Sequence, residues 1–527
     1  MSMITNPVLP GFHPDPSILR VDDDYYIATS TFEWFPGVRI HHSKDLIHWR
    51  FISSPLSRLS QLNMIGNMNS GGIWAPCLSY HDGLFYLIYT DVKQWHGAYK
   101  DAHNYLVTAE NIEGPWSEPI YLNSSGFDPS LFHDDDGRKW LLNMIWDYRQ
   151  DNHSFAGIVL QEFSADEQKL IGPVKSIYKG TDIQLTEGPH LYKKDGYYYL
   201  LVAEGGTEYE HAATLARAKT IEGPYETDPH YPLITSKGDP SLALQKAGHG
   251  SLVETQNGEW YFAHLCGRPL KEKYCTLGRE TALQKVIWDK DGWLRLEDGG
   301  QYPATTTTAP DLAEHPFPEE PSIDDFDTNT LSPCWNSLRI PTEDSWCSLT
   351  ERPGHLRLKG MESLSSLHRQ SLIARRQTAF QCEFETKVNY EPSHYQHLAG
   401  LIIFYDTDDH VYLHLSRHET VGKSLQIIQT KNGHYNELLG SPISVKEDTS
   451  IYLRGVIEKE TLQLFYKEDS THDWTPIGPN IDVTHMSDDS ADQVRFTGTF
   501  IGMATQDLAG TKKAADFDYF VYKAKGH

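Results

Sequence analysis

Short apolar runs rich in aromatic residues, separated by polar turn residues, fill the first half of the chain. Tyr25-Tyr-Ile-Ala-Thr29, Leu84-Phe-Tyr-Leu-Ile-Tyr-Thr90, Trp140-Leu-Leu-Asn-Met-Ile145, Tyr197-Tyr-Tyr-Leu-Leu-Val-Ala203 and Trp260-Tyr-Phe-Ala-His-Leu265 are the clearest. Aromatic and β-branched runs of this length read as strands. Each follows a turn, and each turn follows a recurring phrase: Asp15-Pro-Ser-Ile18, Ala75-Pro-Cys-Leu78, Asp128-Pro-Ser-Leu131, Gly188-Pro-His-Leu191 and His249-Gly-Ser-Leu252. A second phrase, Glu113-Gly-Pro-Trp116 and Glu222-Gly-Pro-Tyr225, recurs at comparable places. A unit of roughly 60 residues with several strands is the sequence signature of a propeller blade.

The pattern changes after residue 300. Gln301-Tyr-Pro-Ala-Thr-Thr-Thr-Thr-Ala-Pro310 and His315-Pro-Phe-Pro-Glu-Glu-Pro321 carry proline without an apolar period, and 301–321 reads as an extended linker. Beyond it, Leu398–Tyr405, Val411–Leu415, Ile451–Val456 and Leu462–Tyr466 alternate at turn-separated intervals, as strands of a two-sheet sandwich do. No long helix is expected in either half.

Composition narrows the picture a little. At 527 residues the chain exceeds what one core organises, so two or more domains are expected. A net charge of -26 speaks against nucleic acid and anionic membrane surfaces as partners and leaves neutral ligands such as sugars unaffected. No window has the apolar length of a membrane span. The opening residues lack a basic stretch followed by an apolar one, so a cytoplasmic location is expected. Cys77, Cys266, Cys275, Cys334, Cys347 and Cys382 are scattered, as reduced thiols would be, and no CxxC pair suggests zinc.

Equivalent positions of a propeller repeat meet around one axis. The aligned phrases bring together Asp15, Ala75, Asp128, Gly188 and His249, and one place earlier Trp74 and Glu187. Three carboxyls, an imidazole and an indole would then converge in a central pit. Glycosidic hydrolysis needs two carboxyls in opposite states, one ionised to activate water and one protonated to assist the leaving oxygen. A third could keep the acid protonated by like-charge repulsion. An Asp before Pro-Ser is also an ordinary turn residue, which competes with the catalytic reading for Asp15 and Asp128. Glu187, before Gly-Pro, has no strong turn role.

The strings His13-Pro-Asp15-Pro-Ser, Gly72-Ile-Trp74-Ala-Pro, Phe127-Asp128-Pro-Ser-Leu and Thr186-Glu187-Gly-Pro-His resemble glycoside hydrolase family 43. Leu277-Gly-Arg279-Glu-Thr-Ala and the tail Ala514–Phe520 are similar to its two-domain β-xylosidases. The resemblance implies an all-β fold: a five-bladed β-propeller over 1–300, the linker, and over 322–527 a jelly-roll or concanavalin-like β-sandwich on the active-site face. It also implies exo-acting, inverting release of xylose from short β-1,4-xylooligosaccharides. By motif, Asp15 would be the general base, Glu187 the general acid and Asp128 the group that tunes and orients the acid. Inversion implies that the Asp15 and Glu187 carboxyls stand about 6.5–9.5 Å apart. Phe32 and Trp74 would wall the terminal sugar, and His249 would lie at the pocket floor. Arg279 would contact substrate hydroxyls and the modulating carboxylate, and Phe500 would close the pocket from the second domain.

No catalytic metal is expected, since no HExxH spacing or EF-hand loop is present; a structural calcium on the propeller axis, held by some relatives, stays open. By analogy the protein would be a homo-oligomer, a dimer or tetramer. Two other functions compete. An α-L-arabinofuranosidase or arabinanase of the same family would use nearly the same pocket. A carbohydrate-binding propeller would repeat its binding residues in every blade, whereas here the blade heads differ and acids converge once.

Overall fold

The computed structural model describes residues 2–271, 273–490 and 494–525, and among them the chain forms strands and turns with no helix. It divides into two units, Met1–Pro269 with Arg279–Phe317 and Leu270–Gly278 with Pro318–His527.

The first unit is a five-bladed β-propeller. Among the described residues its blades are antiparallel sheets whose strands follow one another in chain order, beginning at Ser17–Val21, Gly72–His81, Ser130–His133, Glu187–Lys194 and Gly250–Glu254. These five first strands carry the recurring phrases and lie innermost. Apolar faces of successive blades pack on one another: Ile40, Ile73, Leu87 and Val107 between the first two, Leu201, Phe262 and Leu294 between the last two. Ile27, Tyr261 and Leu283 do the same where the fifth blade meets the first. Each such side chain contributes about 1.5–3 kcal/mol on burial, so the ring is held mainly by these faces.

Hydrogen bonds explain why the phrase repeats. In three of the five copies the third residue receives the backbone N–H of the fourth residue in a neighbouring copy. Ser251 Oγ accepts from Ile18 N (2.7 Å), Ser17 Oγ from Leu78 N (3.0 Å), and the Cys77 thiol from Leu131 N. In the fourth copy the place is held by His190, and Leu252 N donates to Tyr192 Oη instead. The head of the phrase has a backbone reason of its own. Asp15, Ala75, Asp128 and Gly188 have φ of 56°, 22°, 54° and 56°, all left-handed. Asp tolerates that region and Gly enters it freely, whereas Ala does so at a cost. In the fourth blade the kink is given to Gly188, and the acid stands one place earlier, at Glu187.

Two boundaries differ from the sequence expectation. Part of the 301–321 stretch is structured within the first unit, because Thr306–Thr308 pairs antiparallel with Met3–Thr5. Asn6 fastens the same edge through its side chain, donating to Leu283 O (2.7 Å) and Ala304 O (2.9 Å). Conversely, 270–278 leaves the propeller and belongs with the second unit, where Thr499 N donates to Thr276 O (3.2 Å).

The second unit is the β-sandwich. One sheet contains His434–Glu437, Gly422–Lys431, His410–His418, His397–Phe404, Phe500–Asp507, Ser371–Arg376 and Asn336–Leu338 in that order. The other contains Cys347–Ser348, Leu356–Lys359, Ala514–Ala524, Gln381–Asn389, Ile451–Glu458, Thr461–Lys467 and Thr475–Asp482. Gln381–Asn389 alternates buried and half-exposed positions, the mark of a sheet with one face in the core. The sheets meet where Thr386 Oγ1 approaches Met503 Sδ at 3.8 Å.

Candidate active site

The innermost strands bring Asp15, Asp128, Glu187 and His249 to one end of the propeller, all buried. Asp15 does not serve its own turn. Its Oδ2 accepts from Ser30 Oγ (2.6 Å) and its Oδ1 from Arg279 Nη1 (2.9 Å). Two donors on two oxygens suit a carboxylate, and the guanidinium bond is charge-assisted. Asp128 Oδ2 accepts from the backbone N–H of Gly188 (3.1 Å), so it grips the chain directly beside Glu187. The His249 imidazole lies between these two, with Nδ1 3.9 Å from Asp15 and 4.0 Å from Asp128.

Glu187 differs from both. Its Oε1 is buried and has no hydrogen-bond partner among the described residues. A buried, unsatisfied carboxyl oxygen costs stability, and such groups concentrate where chemistry uses them. Burial raises the Glu187 pKa well above the usual carboxyl range, and the negative charges of Asp128 and then Asp15 raise it further; Arg279 and Lys100 oppose them. Burial also raises Asp128, reinforced by Asp15 and opposed by the Gly188 N–H and Arg279. Glu187 has the environment of a group that stays protonated.

Aromatic rings wall the pit. Phe32 and Trp74 stand 6.0 Å apart by ring centroids, and Trp74 meets Phe127 edge-on at 5.3 Å. Trp74 is fixed by its indole N–H to Ser70 O (2.9 Å). Phe32 is fixed by reciprocal backbone bonds with Ile73 (3.0 and 3.1 Å). Arg279 lies 5.3 Å over the Phe32 ring. It donates from Nη1 to Asp15 (2.9 Å), and its charge also acts on Asp128. His249 is seated by its own backbone N–H on His211 Nε2 (2.7 Å), and burial lowers its pKa, which favours a neutral ring. The packing beneath is close: a Cβ on Gly188 would come within 2.9 Å of the His249 ring, and one on Gly248 within 2.0 Å of the His211 ring. Phe500 belongs to the other unit, where the Arg376 guanidinium lies 5.0 Å over its ring.

Lys100 escaped the sequence reading. It donates to Trp95 O (2.9 Å) and lies 4.2 Å from the centre of the Trp146 ring. Burial pushes its pKa down to about 8, and the charge of Glu187 acts against that. Its loop belongs to neither repeated phrase, and no spacing marks it. A calcium ion takes six to eight oxygen ligands. Among the described residues no group of three or more His, Cys, Asp or Glu side chains is arranged to hold a metal, so the donor set beside His249 does not by itself form such a cage.

The site's geometry agrees with the kinship of the whole chain. Residues 4–294 match the model of glycosyl hydrolases family 43, and residues 323–523 match the β-xylosidase C-terminal concanavalin A-like domain. A crystal structure described as xylan β-1,4-xylosidase from Bacillus halodurans C-125 is 77% identical with a TM-score of 0.98, covering 99% of this chain and 100% of that one. A β-xylosidase of Bacillus subtilis (strain 168) is 52% identical over 99% of this chain and 100% of its own length. A xylosidase/arabinosidase 43B of Humicola insolens is 47% identical over 100% of this chain and 99% of its own. This chain belongs to glycosyl hydrolases family 43.

Proposed function

We propose that the protein is an exo-acting β-xylosidase that releases xylose from the non-reducing end of xylobiose and short β-1,4-xylooligosaccharides, with inversion at the anomeric carbon. The observation that carries this reading is the contrast between the two carboxyls. Asp15 has both oxygens engaged by donors, and Glu187 is buried, pushed towards its protonated form and unpartnered at Oε1.

In this mechanism Asp15 takes a proton from a water as that water attacks the anomeric carbon. Glu187 gives its proton to the departing glycosidic oxygen on the opposite side. Arg279 and Ser30 keep Asp15 aimed, and Asp128 fixes the backbone beside Glu187 while its charge favours the protonated acid. Phe32 and Trp74 offer ring faces to the apolar side of the terminal sugar.

A second activity, on α-L-arabinofuranosides, is favoured by the 47% identical relative whose name carries both sugars. Comparison of kcat/KM for 4-nitrophenyl β-D-xyloside and 4-nitrophenyl α-L-arabinofuranoside tests the order. The xyloside is expected to be the better substrate, with measurable cleavage of the arabinofuranoside. A higher kcat/KM for the arabinofuranoside would reverse the assignment.

A further inference from the structure

We propose that a groove beside the catalytic pit, between the 147–154 loop with the start of the Phe155–Ser164 strand and the 179–186 loop of the propeller, binds a xylose unit of the leaving chain beyond the one attached to the scissile bond. This rests on the xylosidase reading above. The groove has a cavity volume of about 480 Å3 and is lined by Asp147, Arg149, Asn152, Phe155, Lys179 and Gln184. That volume lies within the range of small-molecule sites.

Its position gives it a side of the reaction. Thr186, the residue before Glu187, belongs to its lining. The acid delivers its proton to the leaving oxygen, so the leaving chain departs past Glu187 and towards this wall. Phe155 links the groove to the pit, with its ring 6.0 Å from Phe127 and 5.5 Å from Trp146. A half-buried ring flanked by amide side chains is the combination that a neutral polyol requires, an apolar face for the sugar and donors and acceptors for its hydroxyls.

Both walls are built in advance. Asp147 accepts from Arg149 Nε (2.9 Å), Arg149 Nη2 (2.6 Å) and Asn152 Nδ2 (2.8 Å), and its N–H closes the loop on Ser154 O (2.8 Å). The charge of Arg149 is thereby occupied, which suits an uncharged ligand. Opposite, the fully buried Glu204 accepts from Thr181 N (2.7 Å), Thr181 Oγ1 (2.7 Å), Thr186 Oγ1 (3.1 Å) and Thr214 Oγ1 (2.7 Å). It clamps a segment in which Gln184 and Leu185 are both left-handed, with φ of 68° and 54°. Two consecutive non-glycine residues in that region persist only where the surroundings over-determine them, and such strain gathers at ligand clamps. Gly205 N adds a bond to Gln184 O (2.8 Å), and the side chain of Gln184 is left exposed in the groove.

The test is chain-length dependence. kcat/KM is measured for 4-nitrophenyl β-D-xyloside, xylobiose, xylotriose and xylotetraose with the wild type, Asn152→Ala, Gln184→Ala and the double variant. Only the two longer substrates reach the groove. In the double variant they are expected to lose about tenfold, the size of one or two hydrogen bonds. The aryl xyloside and xylobiose are expected to stay within about twofold, because truncation beyond the +1 sugar leaves their contacts intact. Asn152→Ala alone, on the wall without strained backbone, is expected to show the same selectivity at smaller size. An unchanged chain-length profile, or a parallel loss on all four substrates, overturns the proposal. Failure of the wild type to cleave the aryl xyloside and xylobiose would instead remove the xylosidase reading on which it rests.

Discussion

Asp15→Ala is expected to lower kcat/KM by about 10²–10⁴-fold, the ordinary contribution of a positioned general base. The loss is expected to be similar for 4-nitrophenyl β-D-xyloside and xylobiose, since the base acts on the water and not on the leaving group. KM is expected to change far less than kcat, because sugar contacts from Phe32 and Trp74 stay in place. A fold defect would show in circular dichroism and thermal unfolding, since removal of this carboxylate also removes its bonds to Ser30 and Arg279. Asp15→Asn keeps the shape and one acceptor oxygen there, and should be equally inactive. Retention of more than about a hundredth of wild-type activity by both variants would remove Asp15 from the base role.

Glu187→Ala is expected to separate the two substrates. 4-Nitrophenolate leaves with little help from an acid, whereas the sugar alkoxide of xylobiose needs a proton. The variant should therefore lose about 10²–10⁴-fold on xylobiose and markedly less on the aryl xyloside. The pH profile carries a second signature. Burial, Asp128 and Asp15 raise the Glu187 pKa, and the acid works in its protonated form. Activity is thus present below that raised pKa and is lost as pH rises through it. On the aryl substrate this alkaline limb should vanish in Glu187→Ala, since the group that titrates is gone. An equal loss on both substrates, with the alkaline limb unchanged, would assign the acid elsewhere.

Much of this site was legible because a propeller turns sequence period into spatial convergence. The phrase that recurs for the sake of Ser17, Cys77 and Ser251 hydrogen bonds also carries Asp15, Asp128 and His249 inward. The competing turn reading of the Asp-Pro-Ser copies could not be settled from sequence. Both readings are partly physical: Asp15 and Asp128 do adopt left-handed backbone, yet their carboxyls bond Ser30, Arg279 and Gly188 instead of their own turns. The shift of the acid to Glu187 follows from the same kink, which glycine occupies in the fourth blade. Lys100 was not legible, because a loop residue brought to the pit by an individual turn has no period to reveal it. The 301–321 stretch misled for a related reason. Its threonines lack an apolar pattern, and their strand exists only through pairing with Met3–Thr5, almost the whole propeller away in sequence.

In the proposed mechanism, water activated at Asp15 displaces the leaving sugar directly, with protonation from Glu187. Proton NMR of the first-formed sugar, recorded within the opening minutes of xylobiose hydrolysis and before mutarotation, tests it most directly. Single displacement on a β-xyloside predicts that the newly released non-reducing-end xylose accumulates first as the α-anomer. Initial accumulation of β-xylose would show a covalent, retaining route and contradict the roles given to both carboxyls.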